Sequence, residues 1–222
     1  MEIDMGHGKR KFVVIGLDIL GSTVARELAS FGNHVLGICT DEDRVNELAD
    51  CLSEAVIADA RDADALREAG VDQYDVAVVA IKNLEANILA AMNTKLLGVS
   101  EVWAKASTRV HHAILTRLDV DRVIHPEQEV GRHIAQMLHN PQVRDYIRVG
   151  EHTHVVDFAV PEKLADHPLA DLKLQDRFEI RCLGLVRGPD YIGADADVRL
   201  QRDDKLLLLG HRKSLFKFTE SI

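Results

Sequence analysis

Short apolar runs recur along the first part of the chain, and each is followed by a stretch with helical spacing. The runs are FVVIG at 12–16, HVLGIC at 34–39, AVIA at 55–58, VAVVAI at 76–81, EVWAKA at 101–106 and DRVI at 121–124. Apolar runs this short, closed by glycine or polar residues, read as strands buried on both faces. Between them, Val24, Ala25, Leu28 and Phe31 carry a helical period that stops at Gly32-Asn33. Further helices are expected at 41–49 behind an acidic start, at 62–69 before Gly70, at 85–97 before Gly98, and at 111–118. Strands alternating with helices of this length predict a doubly wound parallel sheet with right-handed crossovers.

After Pro126 the pattern changes. Residues 129–138 are helical, with Val130, Ile134, Met137 and Leu138 forming an apolar stripe. This stripe either packs on its own domain or docks on a second subunit; a helix leaving a domain has little core of its own to cover, which favours the second. His139-Asn140-Pro141 interrupts the helix, and 143–149 leads away from it. Short strands follow in HVVDFAV, EIRCLGLVR and KLLLLG, with a helical turn near 168–172 and turn chemistry at Arg187-Gly188-Pro189-Asp190. The expected fold is α/β: a Rossmann-like doubly wound parallel sheet, a crossover helix, and a small α+β C-terminal domain. The expected divisions are a disordered N-terminus (1–10), a Rossmann-like domain (11–128), a crossover helix and linker (129–150), and the C-terminal domain (151–222).

Composition narrows the function. The 222 residues carry a formal net charge of -9, which opposes nonspecific nucleic-acid binding because no basic excess is available to release counterions. Three cysteines without metal-ligand spacing suit a reducing, cytosolic setting. No apolar run reaches the roughly 18 residues of a membrane span, and the polar start does not resemble a secretory signal. Eleven histidines invite a metal hypothesis. His111-His112 are adjacent, however, and His152 and His154 share one strand face without a third ligand, so solvent-exposed histidines are the better expectation.

The first strand-to-helix turn is the candidate site. A dinucleotide fingerprint wants G-x-G-x-x-G, and the chain has Gly16-Leu17-Asp18-Ile19-Leu20-Gly21. Gly16 suits the tight turn and Gly21 the close helix–strand approach, but Asp18 stands where backbone should approach the pyrophosphate. Two like charges about 4 Å apart repel by about 4 kcal/mol at an effective dielectric near 20. The strand 34–39 should end in an acid for the ribose, about 20 residues on. It ends in Cys39, with Thr40 or Asp41 as substitutes if the loop is longer. On the motif alone, a working nucleotide site and a structural remnant stand about level.

Several segments together resemble a known family. They are KFVVIGLDILGSTVARELASFGNHVL, AVIADARDADALREAGV, YDVAVVAIKNLEANILAAMNTKLLGVSEVWAKA and DRVIHPEQEVG, then VPEKLADHPLADLKLQDRFEIRCLGLVRG and LQRDDKLLLLG. The first four resemble the RCK (KTN) domain of bacterial Ktr/Trk-type potassium-uptake regulators, and the last two resemble the smaller RCK C-terminal domain. The resemblance implies a cytoplasmic gating-ring subunit, peripheral at the inner face of the membrane through a potassium-translocating partner. It implies a homodimer assembling into a tetramer or octameric ring. It also implies an adenine nucleotide (ATP/ADP or NAD(H)) in the first-turn crevice, a divalent cation, and cyclic di-AMP in the C-terminal domain of some members.

Carried over by position, the implied site is Gly16, Asp18, Ile19 and Gly21, with Cys39 and Thr40 at the ribose. It continues with Asp59 and Ala60 on the adenine side, Ala80 and Ile81 after the fourth strand, and Lys105 after the fifth. Glu127 matches an acid that reaches the phosphates through the cation, and so is the candidate metal ligand. Members usually carry glycine and arginine where this chain has Asp18 and Ile19, so the ligand is altered or nucleotide sensing is lost. Lys105 alternatively caps a strand at the surface, and Glu127 the following helix. The implied role is regulation, not catalysis. The alternatives are a nicotinamide-dependent oxidoreductase, for which the tail offers no evident proton donor, and a structural ring subunit without a ligand.

Overall fold

The computed structural model describes residues 10–150, 152–195 and 197–222. Apart from Arg10, the expected disordered N-terminus lies outside the described residues. The chain divides into two compact units, 1–127 and 128–222.

The first unit holds a six-stranded sheet of β1 (Lys11–Ile15), β2 (His34–Cys39), β3 (Glu54–Ile57), β4 (Val76–Val79), β5 (Glu101–Lys105) and β6 (Arg122–Ile124). Its order is β3-β2-β1-β4-β5-β6 and every pairing is parallel. This is the doubly wound sheet that the alternation predicts. Helices α1 (Ile19–Ser30), α2 (Glu42–Ala49), α3 (Ala63–Glu68), α4 (Leu84–Leu96) and α5 (Arg109–Arg117) make the crossovers. Both faces are buried, which is why the strands read as continuous apolar runs. Val13, Ile15, Leu36, Ile38, Ala77 and Val79 pack with Leu66, Ala90, Ala91 and Leu115 in one core cluster. The alternate residues Val14, Val35 and Val78 pack with Leu17, Ala25, Val45 and Leu48 in another.

The strand order reverses between β1 and β4, so their carboxyl ends open a crevice. Helices α1 to α5 each start on a capping side chain at that end. Asp18 accepts from the Gly21 amide, Asp41 from Arg44, Asp62 from Asp64 and Ala65, Asn83 from Ala86, and Thr108 from His111. These acceptors satisfy amides that the helix itself leaves unpaired.

The second unit carries a sheet of β7 (Val143–Arg148), β8 (Thr153–Ala159), β9 (Arg181–Arg187), β10 (Asp190–Gly193) and β11 (Lys205–His211), in the order β10-β9-β11-β8-β7. All pairings are antiparallel. Short helices α7 (Leu174–Phe178) and α8 (Arg212–Glu220) close its core, where Phe158, Phe178 and Phe218 meet. The apolar-striped helix α6 runs Pro126–His139. It begins before residue 129, as proline at a first turn allows. Residues 143–148, expected as linker, instead form the edge strand β7 on β8. The sequence VRDYIR has no clean apolar alternation to announce a strand; its register on β8 shifts between Val143 and Asp145, and the pairing with β8 is what makes it a strand.

Candidate functional site

The crevice at the carboxyl ends of β1, β2, β3 and β4 encloses about 430 Å³. Gly16, Asp18, Cys39, Thr40, Asp59, Ala60, Ala80 and Ile81 all line it. The turn itself is fixed by backbone. The Gly16 amide donates to the Ile38 carbonyl at 2.8 Å, and the Ala80 amide to the Ile15 carbonyl at 2.8 Å. Gly16 has φ +91°, and a Cβ there would meet the Ile81 backbone nitrogen at 2.9 Å. A Cβ on Gly21 would sit 1.8 Å from the Gly16 carbonyl oxygen, so only glycine lets α1 start this close to β1.

Asp18 fills the place between them. Its side chain is 9% exposed and accepts from the Gly21 amide at 3.4 Å. The amides at a helix start carry partial positive charge and favour anions. Here the protein's own carboxylate takes that position, and Lys82 Nζ lies 3.5 Å from its second oxygen. The Asp18 side chain therefore stays in the crevice, and the cation beside it is a lysine of the same crevice.

The β2 end also departs from a dinucleotide site. Cys39 and Thr40 line the crevice, and neither presents a carboxylate. Asp41 does not substitute: it caps α2, and its carboxylate sits 3.3 Å from Arg44 Nε. After β3, Asp59 accepts from Arg61 Nε at 3.0 and 2.9 Å and from Nη2 at 2.6 Å. Those bonds, with the Arg61 backbone amide, hold the Asp59 carboxyl below the usual aspartate range.

Two buried amides of α4 pin the crevice loops. Asn93 Nδ2 donates to the carbonyls of Ala60 and Arg61 at 3.1 and 2.9 Å. Asn87 Nδ2 donates to the Ile81 carbonyl at 2.9 Å, and its oxygen lies 3.2 Å from His111 Nε2. His111 Nδ1 accepts from the Ser107 amide at 3.3 Å, which places its proton on Nε2. The expectation of solvent-exposed histidines fails here: His111 is fully buried and His154 nearly so. Burial, with His125 nearby, holds the His111 imidazole below its ordinary pKa. His112 and His125 stack with ring nitrogens 2.9 Å apart. Among the described residues no three metal-ligating side chains gather.

The remaining site residues lie apart from this lining. Gly21 serves the packing of α1 on β1, and Ile19 is 82% exposed. Lys105 ends β5, buried, with its Nζ 2.5 Å from Glu127 Oε1. It is not a surface strand cap. The bond from Lys105 holds the Glu127 carboxyl below the usual glutamate range. Glu127 thus meets a lysine where a cation ligand was expected. Arg44, Arg61, Lys82, Asn83 and Glu85 also line the crevice and were not read from the sequence. Lys82 and Asn83 follow the apolar run 76–81 directly, the position from which a strand-end side chain enters such a crevice.

The TrkA-N domain family matches residues 12–126, and the TrkA-C domain family matches residues 154–222. The chain is 31% identical to Ktr system potassium uptake protein C of Bacillus subtilis over 216 residues, covering 96% of this chain and 98% of that one. It is 32% identical to Ktr system potassium uptake protein A of Vibrio alginolyticus over 220 residues, covering 98% and 100%. The fold is shared with the GsuK RCK domain (TM-score 0.66, 15% identity, 97% of this chain) and with the GsuK channel bound to NAD (TM-score 0.65, 14% identity, 95% of this chain). This chain spans 48% and 39% of those two chains.

Proposed function

The chain belongs to the TrkA-N/TrkA-C family of potassium-uptake proteins, and from that membership we propose that it is a ligand-responsive regulatory subunit acting on a separate potassium-translocating membrane protein. The observation that carries this is the match from end to end with Ktr system uptake proteins, across both units. No described helix is long and apolar enough to cross a membrane. In this reading the ion path belongs to the partner. The subunit works by binding rather than by making bonds. It resides at the cytoplasmic face of the membrane, held there by that partner.

The crevice is the sensing site. An adenine nucleotide enters at the ends of β1, β2 and β4, with Cys39 and Thr40 at the ribose and Asp59-Ala60 beside the base. The GsuK channel bound to NAD has the same fold, which supports a nucleotide as the ligand. Asp18 lowers the affinity for pyrophosphate, and Lys82 partly offsets it. Glu127 offers a divalent cation one oxygen while Lys105 holds the other. The second unit is the place for cyclic di-AMP. Copies pair through α6, and pairs assemble into a tetramer or an octameric ring. A ligand that prefers one shape of the assembly shifts the gate of the partner by its difference in affinity.

Two measurements test this. The chain, co-expressed with a Ktr-type membrane subunit in a potassium-uptake-deficient bacterium, restores growth at low potassium more than that subunit alone. Growth that is the same with and without this chain overturns the regulatory role. Thermal unfolding with ATP, ADP, NAD, NADH and cyclic di-AMP, with and without magnesium, reads the ligand directly, because a ligand of the native state raises the midpoint.

A further inference from the structure

In a dinucleotide fold the residue that ends β2 distinguishes two forms of adenosine. An acid there accepts from the ribose 2′-hydroxyl and repels a phosphate on it. A neutral residue with arginine nearby leaves room and charge for a 2′-phosphate. This crevice has the second arrangement. Cys39 and Thr40 are neutral, and the nearest acid of that segment, Asp41, is spent on capping α2 and holding Arg44.

Two arginines line the crevice, Arg44 from the first turn of α2, which follows β2, and Arg61 from the loop after β3, the strand paired with β2. Asp59 takes Arg61 through Nε and Nη2, and Arg61 Nη1 makes no hydrogen bond among the described residues. Asp59 therefore fixes the orientation of the fork and leaves donors open on its other edge. Arg44 is held through Nε alone, and its Nη atoms make no hydrogen bond among the described residues. A dianionic phosphate is met by forked donors of this kind with charge-assisted bonds. The start of α1 already holds the Asp18 carboxylate.

We infer that the crevice selects adenosine carrying a 2′-phosphate, the moiety that distinguishes NADP(H) from NAD(H). The selection rests on the crevice being a nucleotide site, as proposed above, and adds which nucleotide. No chemistry on the ligand is involved, since its anionic end alone is read.

Titration calorimetry of the full chain with 2′,5′-ADP, 5′-ADP, NADP and NAD tests it. The 2′-phosphorylated ligand of each pair binds about tenfold tighter or more, as expected for added charge-assisted bonds. Arg44→Ala and Arg61→Ala each reduce that ratio towards one, and both side chains are largely exposed, so the fold tolerates the change. Cys39→Asp, which restores a ribose acid, reverses the preference to NAD. Circular dichroism melts of the unliganded variants confirm that each is folded. If 5′-ADP and NAD bind as tightly as their 2′-phosphorylated counterparts, the 2′-selection is wrong and the nucleotide crevice stands. If the preference persists in both arginine variants, the anchor is elsewhere and the inference fails. If none of the four binds, the crevice reading falls with it.

Discussion

Asp18 caps α1 from within the crevice, with one oxygen 3.4 Å from the Gly21 amide and the other 3.5 Å from Lys82. The cap stabilises the helix start by about 1 kcal/mol, as such residues do. The same carboxylate repels any phosphate brought to that helix start. The two effects separate in Asp18→Asn, because asparagine caps about as well as aspartate and carries no charge. Stability should change by less than about 0.5 kcal/mol. Affinity for the pyrophosphate-bearing ligands should rise about tenfold, less than the bare Coulomb figure since Lys82 already offsets part of the charge. Calorimetry on the two forms reads this, and unchanged affinity would mean that phosphates pass clear of Asp18. The substitution itself was legible in the sequence as a broken glycine motif. Its capping role and Lys82 were not, since the lysine sits 64 residues further along and only the β1–β4 adjacency brings it near.

At the level of elements, the first unit was almost fully legible. Its central strands are buried on both sides and read as apolar runs, and glycine follows the ends of α1, α3 and α4; the starts of α1 and α5 lie two or three residues before the apolar spacing shows them. The second unit was less so. β10, α7 and α8 were not anticipated, because short antiparallel strands and short helices depend on which partner covers them. Burial inside α5 was also hidden: His111 looks like an exposed polar residue until Asn87 of α4 and the Ser107 amide are placed around it. That burial has a pH consequence. The folded pKa of His111 lies below its unfolded value near 6.5, so the unfolded chain binds a proton that the folded chain refuses. The stabilisation is present above about 6.5 and is lost as pH falls towards and through the folded pKa. His111→Gln should be less stable than the parent at about pH 7.5, yet lose less stability on going to about pH 5.5. Urea unfolding at both pH values measures the difference. His154, held below its ordinary pKa by burial in the other unit, remains in both proteins and cancels from the comparison. Equal losses in parent and variant would show that His111 is protonated without cost.

For the whole molecule, the decisive surface is the stripe on α6. Val130, Ile134 and Leu138 recur at i, i+4 and i+8 and are 56%, 45% and 79% exposed. No residue of the helix is buried within the chain. Sequence spacing announced the stripe but could not say whether it packs on its own domain; in the chain these three side chains are exposed. A two-fold contact would bury each of these side chains twice, once per copy. Two copies each with net charge -9 repel, so pairing requires apolar burial of this kind to offset the charge. At about 1.5 kcal/mol or more per buried side chain, losing Leu138 from both copies costs at least about 3 kcal/mol, over a hundredfold in the dissociation constant. Leu138→Asp should therefore turn a dimer at micromolar concentration into a monomer by light scattering, with an added like-charge penalty. Since Leu138 is exposed in the chain itself, the unfolding transition of the Rossmann-like unit should stay in place, which separates loss of pairing from loss of fold. A variant that remains dimeric would put the pairing surface elsewhere. A parent chain already monomeric under those conditions would overturn the proposed pairing through α6.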